Sequence, residues 1–153
     1  MLTAKVTRKR IAKIPNTADV KGHVKVGLVK GKADTDNINK AVWNEFGTAG
    51  GASGGGWGGP IPERPFMRNA MKENASKYGD AMARSAAKIL RGEASVYDVL
   101  NKLGVTAQQD IKRSIDSLKS PPNSPVTIAR KGSSKPLIDT GEMRNSVSYE
   151  VKK

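Results

Sequence analysis

Hydrophobic and polar positions follow two periods along this chain, and the switches between them mark its elements. At the start Leu2, Ala4 and Val6 alternate with Thr3, Lys5 and Thr7, which fits a short strand or an ordered arm within a basic segment spanning 1–19. A turn at Pro15-Asn16 leads to Val20 and then His23–Val29, where Val24, Val26 and Leu28 share one face of a strand. The period then becomes helical. Ile38, Val42 and Phe46 recur at i, i+4 and i+8 beside Trp43, and Gly47 stops the short helix Asn37–Phe46. The longest periodic run, Pro65 to Leu90, carries Met67, Met71, Ala75, Tyr78, Met82, Ala86 and Ile89 at steps of three or four. Ser95 is a fair N-cap for another helix, whose face is Val96, Val99, Leu100, Leu103, Ala107, Ile111, Ile115 and Leu118. Gly104 predicts a break or kink within it. Val147, Tyr149 and Val151 alternate with polar neighbours in a terminal strand. The predicted fold is therefore α+β, a single domain over 1–153 with two long amphipathic helices packed on a small antiparallel sheet.

Glycine and proline punctuate this pattern. Residues 47–60 form a long Gly-rich stretch around Trp57 and read as a flexible loop. A phosphate-cradling loop would need a lysine and a hydroxyl after the glycines, and Pro60 follows instead. Ile61-Pro62-Glu63-Arg64-Pro65-Phe66 then makes a rigid elbow, because each proline fixes its own φ and biases the residue before it toward extended geometry. Beyond the helices, Pro121-Pro122-Asn123-Ser124-Pro125 is a firm stop. Residues 121–136 read as an irregular basic loop exposing Arg130, Lys131 and Lys135.

Composition alters the picture mainly through charge. Lys and Arg number 27 against 14 Asp and Glu, a formal net charge of +13, which favours an acidic partner such as nucleic acid, an anionic membrane or an acidic protein surface. Hydrophobic residues make up 37% and aromatics 5%, so the core must be built from aliphatic side chains and Met. The absence of cysteine excludes disulfides, thiolate metal sites and cysteine nucleophiles. His23, the single histidine, has no clustered ligands in sequence, and no cofactor or metal is expected. No apolar run approaches the roughly 18 residues of a membrane span, so a soluble protein made in a cytoplasm is expected. Leu137-Ile138-Asp139-Thr140-Gly141 matches the active-site triplet of retroviral-type aspartic proteases. However, that aspartate sits early in an all-β domain, and here only Glu142–Lys153 follow. A turn or cap role for Asp139 and Thr140 explains the segment better.

The order of these segments resembles a known group. Val-Lys-Val-Gly-Leu precedes Asn-Glu-Phe-Gly-Thr; Ile-Pro-Glu-Arg-Pro-Phe-Met-Arg opens the long helix; Asp-Ile-Lys-Arg-Ser-Ile, Thr-Ile-Ala-Arg-Lys-Gly and Pro-Leu-Ile-Asp-Thr-Gly-Glu-Met-Arg-Asn-Ser-Val follow. Together, from about Val24 to Val151, they are similar to the neck and tail-completion proteins of tailed bacteriophages, the virion-morphogenesis families typified by phages HK97 and Mu. The Gly50–Gly59 insert departs from the shorter loop of that pattern. The resemblance implies a non-enzymatic virion protein, made in the host bacterial cytoplasm and assembled as a homo-oligomeric ring, a hexamer or dodecamer, at the head–tail junction. Its implied partners are its own copies and other neck, head-closure and tail-terminator proteins, with DNA passing through the channel in at most non-specific contact and no membrane involved. Trp57, the elbow residues Ile61, Pro62, Arg64, Pro65 and Phe66, and Arg130, Lys131 and Leu137 are the expected contact residues. The alternative is a basic protein that binds DNA non-specifically through its N-terminal cations.

Overall fold

Most helices in this protein begin where the sequence supplies an acceptor for the free N–H groups of the first turn. The computed structural model describes residues 21–50 and 59–152, so the predicted N-terminal arm, Val20, and Trp57 with most of its loop lie outside the described residues. Strand β1 is His23–Gly27, followed by helices α1 (Thr35–Phe46), α2 (Phe66–Leu90), α3 (Val96–Ser117), α4 (Pro125–Lys131) and α5 (Glu142–Asn145) and by strand β2 (Ser148–Lys152). Asp34 caps α1 by accepting from the Asn37 N–H at 2.7 Å, and Ser95 and Ser124 do the same for Asp98 and Thr127. Each such cap contributes about 1 kcal/mol. Helix α2 has no cap of its own, and α1 provides one, as described below.

The architecture is the α+β arrangement that the periodicities indicate. β1 and β2 pair antiparallel with Val26 opposite Tyr149 and Lys25 opposite Glu150. The sheet packs on α3, and α3 packs along α2. Phe66, Ala70, Ile111, Ile115, Leu137, Met143 and Val147 form the buried centre with Ala41, and Val26, Leu28, Met67 and Met71 pack around it.

Four predicted features are corrected. Residues 121–136 are not irregular throughout: Ser124 caps α4, Pro125 takes its first turn, and Gly132 closes it at φ 65°. Proline at that position loses nothing, because its missing N–H would have had no partner in the helix. Gly104 does not break the pattern, for α3 runs through it without interruption. The buried face of α1 is Asn37, Ala41 and Glu45, whereas Val42 is 46% and Phe46 63% exposed. The face of α2 keeps the expected Ile89 buried and Met67 and Met71 against the core, but its fully buried first turns are Phe66 and Ala70, and Met82 is exposed.

A buried acid joins the two long helices. Asp110 on α3 accepts from Lys77 Nζ at 2.6 Å and Tyr78 Oη at 2.8 Å on α2, and from Arg113 Nη1 at 3.2 Å. Burial raises the Asp110 pKa, but the bonds from Lys77 and Tyr78 and the nearby cations outweigh it, so the carboxyl titrates below its ordinary 3.8. Burial in turn pushes the Tyr78 phenol up. A depressed folded pKa contributes stability that is fully present above the unfolded value of about 3.9 and is lost as pH falls through the folded one. Asp110→Asn should therefore flatten the acid limb of a urea-midpoint-versus-pH curve below about pH 4. An unchanged slope there would remove Asp110 from the account of acid stability.

Candidate functional site

Asn-Glu-Phe-Gly-Thr at the end of α1 and the elbow before α2 meet residue by residue. Asn44 accepts from the Arg64 backbone N–H at 2.6 Å through its carbonyl, and from Arg64 Nη1 at 3.0 Å through Oδ1. Glu45, 1% exposed, turns its carboxylate onto the start of α2, where Oε2 accepts from the Met67 N–H at 2.9 Å and Oε1 from the Arg68 N–H at 3.0 Å. The carboxylate thus meets the positive end of the helix dipole and fills the place of an N-cap. Arg68 closes the arrangement: Nε donates to Glu45 Oε1 at 3.0 Å, Nη2 pairs with Glu63, and the guanidinium lies 5.1 Å from the Phe46 ring centroid. Gly47 has φ 71°, and a Cβ there would come within 3.0 Å of the Ile61 carbonyl oxygen, so the helix stop is also a close approach. Thr48 completes the set, its N–H donating to the Ile61 carbonyl at 2.9 Å while its Oγ1 accepts from the Ile61 N–H at 3.1 Å.

Arg64 carries the junction across to the segment after α3. Its buried guanidinium donates to the carbonyls of Pro121 (2.8 Å) and Pro122 (3.0 Å) and to Asn123 Oδ1 (3.3 Å). Asn123 in turn donates to the Lys135 carbonyl at 3.1 Å, and Lys131 Nζ donates to the same oxygen at 2.9 Å. Burial pulls the Lys131 pKa down, with Asp139 acting against it. The elbow and the 121–137 segment, far apart in sequence, therefore form one hydrogen-bonded unit.

The expected contact residues divide accordingly. Pro62 and Arg130 are exposed, and Ile61, Pro65 and Lys131 are half-buried. Arg64, Phe66 and Leu137 are buried within the chain, at 5%, 0% and 6% exposure, so they position the surface instead of forming it. Trp57 lies outside the described residues. Asn44, Glu45, Arg68 and Asn123 were not singled out individually by sequence, although two of them belong to the Asn-Glu-Phe-Gly-Thr motif. The signal was the motif itself, since an acid and an amide at a helix end beside a glycine stop have backbone groups to bind.

Among the described residues no group of three or more His, Asp or Glu could hold a metal ion, and His23 is exposed at the start of β1. Asp139 is exposed, and Thr140 Oγ1 accepts from the Glu142 N–H at 3.4 Å, a turn into α5. No helix among the described residues is long and apolar enough to cross a membrane. Open clefts lie among the described residues. One, of about 400 Å³, lies around Tyr97, Gln108 and Tyr149; another, of about 450 Å³, lies between α1 and the sheet. No protein-family model matches the chain, and neither a curated protein nor a solved structure matches it.

Proposed function

We propose that this chain is a structural, non-enzymatic subunit of a tailed-bacteriophage neck, forming a ring with its own copies at the head–tail junction. The observation that carries this reading is the junction just described. The two most distinctive motifs of the resemblance, Asn44–Thr48 and Ile61–Arg68, engage each other through Glu45, Arg64 and Arg68 and fix the point from which the Gly-rich stretch departs. A motif pair that packs as one rigid unit suits a scaffold whose task is to present a loop at a fixed place. A closed ring also needs two different complementary patches on each copy. Large apolar side chains are exposed on separate elements for this purpose: Leu90 and Tyr97 around the α2–α3 connection and Val126 on α4.

Native mass spectrometry and negative-stain imaging of the full chain, alone and mixed with phage heads and tails, test the reading. Rings, or incorporation at the neck, are the expected result. A strict monomer at all concentrations that never joins particles would overturn it. The net charge of +13 favours a second reading, non-specific DNA binding. That reading requires binding that falls steeply with salt and fails if none is seen at about 50 mM.

A further inference from the structure

The groove between α1 and the sheet combines an apolar wall with a basic rim. Tyr149 packs against α3 at Gly104, so by strand alternation Lys25 and Glu150 point from the other face of the sheet, into the groove. Facing them, α1 presents Ile38 and Val42, and the stripe continues one turn further to Phe46. Met67 forms the floor, reached past Gly27, where a Cβ would lie 3.4 Å from the Met67 sulfur. The α1 wall is therefore apolar, while the sheet side sets Lys25, Lys30 and Lys152 beside Val26, Leu28 and Val29. The single acid of the lining, Glu150, pairs with Lys152 at 3.7 Å, which leaves Lys25 and Lys30 without a carboxylate among the described residues.

We propose that this groove docks a partner-protein segment bearing apolar side chains on one face and carboxylates on the other. The apolar face would cover Ile38, Val42 and Phe46, and the carboxylates would meet Lys25 and Lys30. Charge selects this occupant. A second copy brings a net charge of +13 to a basic rim, and this chain's own first 18 residues contain five cations and no acid. A nucleic-acid backbone would use the lysines and gain nothing from the apolar wall.

The test uses the full chain and two synthetic peptides with the same leucine spacing, one rich in glutamate and one in lysine, followed by fluorescence anisotropy. The glutamate peptide should bind. Val42→Asp should weaken it about tenfold or more, because a carboxylate then faces the peptide's apolar side. Val42 is already 46% exposed, so the variant should melt like the parent. Lys25→Glu with Lys30→Glu should reverse the preference toward the lysine peptide. Failure of the glutamate peptide to bind, equal binding of both peptides, or indifference to Val42→Asp would overturn the proposal. So would dimerisation abolished by Val42→Asp, which gives the groove to a second copy. DNA binding that the lysine reversals abolish and Val42→Asp spares would give it to nucleic acid.

Discussion

Arg64→Ala is expected to cost the fold about 3 kcal/mol, the upper part of the range for single substitutions. Four acceptors lose their donor at once: the Pro121 and Pro122 carbonyls and the side-chain oxygens of Asn44 and Asn123. Among the described residues no carboxylate bonds this guanidinium; carbonyl and amide oxygens solvate the charge instead. Burial correspondingly lowers the Arg64 pKa from its ordinary value. Arg64→Lys should recover only a small part of the loss, because one ammonium cannot reach acceptors spread around a planar fork. Arg64→Met separates volume from bonding: it refills most of the space and leaves the same oxygens unpaired, so it should remain close to the alanine variant. Urea denaturation at neutral pH checks all three, read as a fall in midpoint at unchanged slope. A loss within about 0.5 kcal/mol of zero for Arg64→Ala would mean that water replaces the guanidinium and that the clamp is not what fixes the elbow.

Arg64 also shows where sequence reasoning reaches and where it stops. The elbow was legible because two prolines act on the backbone locally, whatever the rest of the chain does. Its arginine looked like a contact residue for a partner because charged side chains are seldom buried unless paired. The acceptors that bury it sit near 121–123, behind a proline run that hides their role. The helices α2 and α3 and strand β2 were legible from period alone, being long or cleanly alternating. The face of α1 was not. Glu45 occupies its buried side because α2 needs an acceptor there, and apolar periodicity has no means of registering a buried carboxylate. Ile38, Val42 and Phe46 do form the stripe that their spacing indicates, yet that stripe faces the groove and solvent instead of the core. The same spacing thus located a surface of interest under the wrong description. Helix α4 is hidden in the sequence because Pro121, Pro122 and Pro125 read together as breakers, whereas Ser124-Pro125 is a capped helix start.

Gly104→Ala is expected to destabilise the protein by about 2–3 kcal/mol, although alanine is the better helix former by about 1 kcal/mol. A methyl group there would lie 2.8 Å from Cγ and 2.9 Å from Cε2 of Tyr149, and closer still to Cδ2, so the whole ring edge is in the way. The ring has little freedom to yield. Its hydroxyl donates to Asn101 Oδ1 at 3.4 Å, and Lys32 Nζ donates to the Tyr149 carbonyl at 2.6 Å, holding the strand as well as the side chain. Relief must then come from moving the sheet off α3. Tyr149→Ala alone should also destabilise, by loss of the buried ring face. The double variant decides the mechanism. If the cost of Gly104→Ala is a clash with that ring, removing the ring should let the alanine express its helix propensity. The two substitutions together should then be less harmful than their sum by more than about 1 kcal/mol. Additive losses, or a neutral Gly104→Ala, would show that the helix accommodates the methyl by other means. Mid-helix glycine is here the condition for seating the sheet on α3, because the strand can come this close only where one residue of the helix has no side chain.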